Sequence, residues 1–557
     1  MEYTVLSPWA SSSCATPVGL SPRLDNLEGK TIGLYAHFKD LTPRIMRALG
    51  DVIAAHYPNT KLKFIQYTRD TTELPNDPEG EAMIRDWLKD VDGVIAGLGD
   101  AGSCAMYLMY NVAWLEKQGM PCVGLTQPQF AASAYRGASA RAVPGLRMVQ
   151  ITAQGASQAQ GTGTEAHADP DAALHQEFEE KLDEILDGLL RPLTEEEANP
   201  APLPDYAGMT FTGTLEELDR TFYRLGWTNG TPIVPPTREA VDAMLRGTDL
   251  SPDYVVGELP PMLGRATVEK IAVNAVMAGC HAVHLPVLIA AVQGMLDPKI
   301  HIEGWTCSMA SWMPLSIVTG PAARQMGLYS GPGYLSPYYK ANSAIPRAIA
   351  YLVMNISGVR HQTEDMSGLG NMNRFGITIG EDQENSPWLP VHCRYGMAQE
   401  DSALTLFWPS EPQILNGVGA REVLREMCSV SAQGWDCGAI FLLSPEVAKE
   451  LSDMGYDKEK LMDYVMEYNR VPSERATKFN NHEPRGSMFA EGPGYSSRRF
   501  WNTDHMIVAV NGRIFNLAIT GGGDHGGPAC VKLQLPGCWD ALVAEYQEQW
   551  KVERVEY

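Results

Sequence analysis

Cysteine pairs, a basic stripe, long apolar runs and nucleotide fingerprints are all missing from this chain, and each absence removes a class of protein. The ten cysteines of its 557 residues are scattered without a CxxC pair or a disulfide framework, so most are expected as reduced core residues. Lys and Arg number 44 against 67 Asp and Glu, a formal net charge of −23. Phosphate binding needs a basic stripe that this composition does not supply, and solubility is the ordinary use of such a charge. No apolar stretch approaches a membrane span, and the start, MEYTVLSPWASSS, has no basic segment followed by an apolar core. A cytoplasmic protein is expected. A P-loop and a GxGxxG fingerprint are absent: the stretch from Gly521 to Gly527, GGGDHGG, lacks the closing Gly-Lys-Ser/Thr. Cys280, His281 and His284 stand together but are too few for a metal, and core packing and helix-end capping explain them better. Neither a metal nor an organic cofactor is predicted. The expected partner is a small-molecule substrate, with no nucleic acid and no membrane, and a homo-oligomer is left open.

What is present is a globular composition, 44% hydrophobic, on a chain too long for one ordinary core. Short apolar runs alternate with helical patterns through the first 190 residues. Thr31 to Ala36 reads as a strand, and Thr42-Pro43 opens a helix with Ile45, Met46, Leu49, Val52 and Ile53 on one face. Leu62 to Tyr67, Val91 to Leu98, Pro121 to Leu125 and Met148 to Thr152 give further strands, and Glu81 to Asp90 a second helix. This alternation predicts an α/β domain with a mainly parallel sheet covered on both faces. The stretch from Gly155 to Asp169 reads as a loop. A helix opened by Asp169-Pro170, with Leu174, Phe178, Leu182, Ile185, Leu186 and Leu189 at helical spacing, closes the domain.

Acidic, Pro-rich EEEANPAPLPDYA then reads as a linker. The expected division is an α/β domain over 1–194, a linker over 195–210 and a larger α+β domain over 211–557. The second part opens on a capping box, Thr214 to Glu217, and has two buried helices between Ala266 and Met295. Past Gly304 it is rich in Gly, Pro, Trp and Ser, residues that hold irregular backbone where binding groups are displayed. Strands are expected at Leu404 to Trp408, at Ala439 to Leu443, and in a hairpin from His505 to Thr520 turned by Asn511-Gly512.

Chemistry concentrates at the end of the run Val91 to Leu98. Gly97, Gly99 and Gly102 punctuate a tight turn, and Ser103 is placed to cap a helix running to about Glu116. Cys104 falls in that helix's first turn, where free N–H groups and the helix dipole favour a thiolate. Ligands of open α/β sheets bind outside the carboxyl ends of the strands. Cys104 is therefore a candidate nucleophile, set against the plain alternative of an inert buried thiol. Backbone N–H groups around Gly102 and Ser103 would form an anion hole. Asp100 is placed to orient a substrate or take a proton, or else only to hold the loop; a carboxylate there opposes thiolate formation. His37 and Lys39 follow the first strand, at the same end if the strands are parallel, and one of them would supply an acid or a positive charge. From the second part, Trp305, Cys307, Asn342, Arg347, Gly522 and Asp524 are candidates for substrate recognition. His525 is a candidate general acid or base.

These residues carry a resemblance. GDAGSC (Gly99 to Cys104), with VDGVIAG before it and WLEKQGMPCVGL after it, resembles the UGSC (seleno)protein family, named for selenocysteine or cysteine followed by Gly-Ser-Cys. GWTNGTPIVPPT, TVEKIAVNAVMAGC, TGPAA, ANSAIPRAI and NSPWLPVH are similar to the domain that accompanies it. The first position of the motif is Ala101 here, so a vicinal redox pair cannot form from Ala101 and Cys104. The resemblance implies an architecture and a site more than a reaction. The first domain is also similar in fold to the aspartate/glutamate racemase and maleate isomerase group, whose two-cysteine chemistry would require Cys122, a residue that reads as core. The expectation is a cysteine-dependent enzyme acting on a small organic molecule between the two domains. C–S bond formation or cleavage, or another covalent addition, ranks ahead of thiol redox and of racemisation or isomerisation, and a non-catalytic binding or partner subunit is the alternative.

Overall fold

The computed structural model describes residues 1–550 except 15, 40, 70–72, 154–169, 369, 371–375, 418, 432–437, 473–495, 501 and 522–526. The expected loop from Gly155 to Asp169 lies outside the described residues, as do Gly522, Asp524 and His525.

The chain opens on a strand that no apolar run announces. β1 (Glu2–Leu6) pairs antiparallel with β7 (Thr210–Thr214), from beyond the expected linker. Val5 and Ala10 are buried in the core of the second part. The first dozen residues, expected within the N-terminal domain, thus belong structurally to the later one.

The N-terminal sheet follows the predicted pattern. β2 (Thr31–Ala36), β3 (Lys61–Gln66), β4 (Gly93–Gly99), β5 (Cys122–Thr126) and β6 (Met148–Gln150) form a five-stranded sheet in the order β3-β2-β4-β5-β6, parallel throughout. α1 (Thr42–His56) and α5 (Pro170–Leu190) cover one face, burying Ile45, Leu49, Phe178 and Ile185 against Ile32, Leu34 and Val123. α2 (Pro78–Leu88), α3 (Gly102–Lys117) and α4 (Ala131–Ala140) cover the other, against Tyr35, Val94 and Ala96. Near-continuous burial along β4 and β5 is what sheets covered on both faces require. The acidic linker begins with a docked turn, α6 (Glu195–Ala198), capped by Thr194. Its Glu197 is bound by Arg147 at 2.9 Å, so the start of that segment is anchored to the sheet domain.

The second part has four layers. α7 (Leu215–Arg224) carries the predicted capping box between Thr214 and Glu217. α8 (Arg238–Leu245) and the hairpin of β8 (Val255–Leu259) and β9 (Gly264–Thr267) follow. α9 (Val268–Met277) and α10 (Leu285–Met295) are the two buried helices, α11 (Ile302–Cys307) is short, and β10 (Leu315–Thr319) leads to α12 (Pro321–Gln325) and α13 (Lys340–Asn355). With β11 (Ile377–Gly380), β12 (Ala403–Phe407) and β19 (Ala529–Lys532), β10 builds a sheet ordered β11-β10-β12-β19. The other sheet, ordered β13-β18-β14-β17, contains β13 (Glu411–Leu415), β14 (Ala439–Leu443), β17 (Met506–Val510) and β18 (Asn516–Thr520). Strand alternation sorts the faces. Leu315 and Ile317 of the first sheet meet Ile440 and Leu442 of the second. Val318 and Leu404 face α9, α10 and α13. Phe441 and Val508 face α14 (Ala420–Met427), α15 (Pro445–Asp453) and α16 (Lys458–Tyr468). A small pair, β15 (Arg470–Pro472) with β16 (Ser496–Arg498), and α17 (Trp539–Trp550) complete the chain.

The expected Asn511-Gly512 hairpin does not form. β14 lies between β17 and β18, pairing parallel with one and antiparallel with the other. Asn511 instead donates its side-chain N–H to the Gly380 carbonyl at 2.6 Å, and the Gly512 N–H bonds the Ser330 carbonyl at 2.8 Å. The dipeptide pins two loops rather than turning a hairpin.

Candidate functional site

Strand order locates the site. β2 is flanked by β3 on one side and β4 on the other; its outgoing helix α1 packs on one face, whereas α3, leaving β4, packs on the opposite face. Between the carboxyl ends of β2 and β4 the connections diverge, and such a switch point opens a crevice where ligands of doubly wound sheets bind. His37 and Lys39 leave one strand there, and Asp100 to Cys104 leave the other.

Local geometry explains the glycines at this turn. A Cβ on Gly99 would stand 2.9 Å from the Ala105 Cα and 3.1 Å from Thr126 Oγ1, so the strand tip closes directly onto the first turn of α3. The helix starts two residues earlier than expected. Ala101 is the N-cap, in extended conformation and without a side-chain cap, and the Ala105 N–H bonds the Ala101 carbonyl at 2.8 Å. Ser103 is therefore inside the helix and does not cap it. Cys104 is the third helical residue and 6% exposed. α3 is apolar nearly all round, because the sheet covers one side and α4 and α11 the others.

Charge at the crevice is paired. Lys39 Nζ lies 2.6 Å from Asp100 Oδ1, with both side chains largely buried. The carboxylate that would oppose a thiolate is thereby offset, and Asp100 is held as the ion-pair partner of Lys39. His37 is 1% exposed and its Nδ1 has no hydrogen-bond partner among the described residues. Burial, reinforced by the Lys39 charge, pushes its imidazole down to about 3. His37 is thus neutral near pH 7 and supplies no positive charge, which corrects that role. Gln66 ties the His37–Lys39 loop by donating to the carbonyls of His37, Phe38 and Lys39 at 3.3–3.4 Å. After β5, the Gln127 N–H and Thr126 Oγ1 both donate to the Gly99 carbonyl, at 2.9 and 3.1 Å. Gln127 Nε2 reaches the Thr152 carbonyl at 2.9 Å. The sequence reading missed Gln66 and Gln127. Their signal was available: each closes or immediately follows a strand of the parallel sheet, as Asp100 does.

The second part covers the start of α3. A Cβ on Gly102 would stand 2.2 Å from the Cys307 carbonyl oxygen and 3.0 Å from the Met366 Cβ. Cys307 is fully buried, and burial raises its thiol well above the ordinary range. Its backbone, not its sulfur, meets the site. Alongside, Arg141 lies 3.6 Å over the Tyr110 ring and is paired with Glu73, while Glu303 of α11 sits 3.9 Å from the same guanidinium. Arg136 of α4 binds Glu364 at 2.6 Å, and Arg141 Nη1 donates to the Pro261 carbonyl at 2.8 Å.

The remaining candidates are placed elsewhere. Trp305 is buried edge-on against Trp312 in the core of the second part. Asn342 bonds backbone, accepting from the Tyr329 N–H at 2.9 Å and donating to the carbonyls of Tyr329, Tyr334 and Thr378. Arg347 donates to Thr231, Pro232 and Tyr351. These two hold loops of the second part together, and among the described residues neither bonds Cys104. Cys122 is core, its thiol pushed well up by burial. His284 Nδ1 accepts from the His281 N–H at 3.1 Å, the helix-end role expected of it.

Residues 4–172 match the model of the UGSC family. The match takes in all five strands of the parallel sheet, the Ala101–Cys104 turn and α3. The later motifs, from GWTNGTPIVPPT onward, lie outside the UGSC match. No curated protein matches the chain. No described helix is long and apolar enough to cross a membrane.

Proposed function

We propose that this chain is a cysteine-dependent enzyme that forms or cleaves a bond between Cys104 Sγ and an electrophilic carbon of a small organic molecule. The observation that carries this reading is the position of Cys104 in the first turn of α3, at the switch point between β2 and β4. An α-helix leaves its first N–H groups without internal partners. The N–H groups of Gly102 and Ser103 would receive the negative charge that develops on a substrate oxygen. The helix dipole would favour the thiolate, while the Lys39–Asp100 pair holds the opposite wall without net charge. Ala101 in the first motif position removes the partner for thiol–disulfide exchange, so addition is preferred to redox. The reading includes no metal or organic cofactor and a cytoplasmic setting. Treatment with limiting iodoacetamide followed by peptide mass spectrometry tests it. Cys104 should be among the first modified residues, and Cys104→Ala should abolish turnover of the substrate found by metabolite profiling.

A second reading, a non-catalytic binding or partner subunit, is favoured by one observation: neither His37, neutral, nor Lys39, paired with Asp100, offers an uncompensated cation to a thiolate. In that case Cys104 stays a thiol at neutral pH.

A further inference from the structure

The second part contains a cavity of about 1150 Å³ to which the N-terminal sheet contributes no lining residue, a volume just above the usual range of about 300–1,000 Å³ for small-molecule sites. Its walls combine aromatic rings with one available cation. Tyr329 and Tyr339 stack at 4.0 Å with an interplanar angle of 13°, and Tyr338, 87% exposed, stands at the mouth. Lys340 Nζ lies 4.0 Å over the Trp550 ring and has no carboxylate within ion-pair distance among the described residues. Lys340 also opens α13, a 16-residue helix whose N-cap, Tyr339, makes no side-chain cap bond, so the positive end of that helix adds to the ammonium. Gly279 has space beside it for the lysine: a Cβ there would lie 4.0 Å from Nζ.

The other two cations on the wall are already engaged. Arg347 is bonded to Thr231, Pro232 and Tyr351, and Arg324 pairs with Glu384. Glu548 adds a negative charge. The balance suits one negative charge on the ligand rather than two, and flat rings beside it.

We propose that this cavity binds an aromatic monocarboxylate, with its carboxylate on Lys340 and the N-terminus of α13 and its ring among Tyr329, Tyr338, Tyr339 and Trp550. Burial draws the Lys340 ammonium below the usual lysine range, a cost that an incoming carboxylate offsets. The site is separate from Cys104 and does not depend on the reading given to that residue.

Calorimetric titration of the full chain with 4-hydroxybenzoate tests the proposal, with 4-hydroxybenzamide, acetate and phenyl phosphate as comparators. Saturable binding of the benzoate is expected, with the neutral amide and the ringless acetate each at least about tenfold weaker. Phenyl phosphate should not exceed the benzoate. Lys340→Met should weaken binding by at least about tenfold, and Tyr338→Ala, at an exposed position where folding is not at stake, by a smaller factor. Cys104→Ala should leave the affinity unchanged. Equal binding of amide and acid, tighter binding of the phosphate, insensitivity to both cavity substitutions, or loss on Cys104→Ala would each overturn the assignment.

Discussion

Lys39 and Asp100 form the most consequential pair of single residues in the crevice, because Lys39 offsets the carboxylate that would otherwise oppose a thiolate. A buried ion pair that loses one member leaves an uncompensated charge, at about 3–5 kcal/mol. Lys39→Met is therefore expected to lower unfolding free energy in denaturant by about that amount, and Lys39→Met/Asp100→Asn to recover most of it. The single variant should also slow alkylation of Cys104 at pH 7, since Asp100 would then oppose the thiolate. Gly102 makes a second residue-scale test. With the Cys307 carbonyl 2.2 Å from where its Cβ would be, Gly102→Ala forces α3 and α11 apart, and overpacking of this kind costs about 1–3 kcal/mol. Thermal unfolding should show the loss, and Cys104 should become more accessible to alkylation. Cys104, Asp100, His37 and Lys39 were legible as a group because parallel strands place their exits at one end. Their charge states were not, since pairing and burial depend on side-chain directions that spacing does not carry.

At the scale of elements, the contact between α3 and α11 is governed by a carboxyl group. Burial, then the charge of Glu73, raises Glu303 from 4.5 to about 7, against the opposing pull of Arg141. The unfolded chain releases this proton near pH 4.5 and the folded chain only near 7, so between those values the folded state binds more protons. Its contribution to stability is complete below pH 4.5 and is lost as pH rises through 7, by about 3 kcal/mol at most. Glu303→Gln, which mimics the protonated group, should remove this dependence in unfolding measured from pH 5 to 8. An unchanged slope in that variant would show that another group titrates. Strands β2 to β6 and helices α1, α2 and α5 were readable from periodicity, whereas α4, built from the small-residue run AASAYRGASA, was not. The hairpin at Asn511-Gly512 was not, because β14, some sixty residues earlier, inserts between its strands, and β1 was not, because its partner lies beyond residue 207. Arg141 with Glu73 and Glu303 was hidden for the same reason: nothing local announces a partner from another layer.

The whole molecule is bound together by its first residues. β1 pairs with β7, and Val5 and Ala10 fill the core of the second part, while the chain then returns to build the parallel sheet. Deleting residues 1–12 should leave β7 as an open edge. Limited proteolysis should then cut first near Thr210–Thr214, with the parallel sheet still protected; simultaneous loss of both would show that the sheet depends on β1 as well. Across the molecule, the central claim is that the crevice between β2 and β4 presents Cys104 as a thiolate. The direct measurement is the rate of Cys104 alkylation by iodoacetamide against pH, read by peptide mass spectrometry on the native chain. The account predicts a half-maximal rate well below the value of about 8.5 for a free cysteine; a midpoint at or above 8.5, or no modification of Cys104 while other cysteines react, would contradict it.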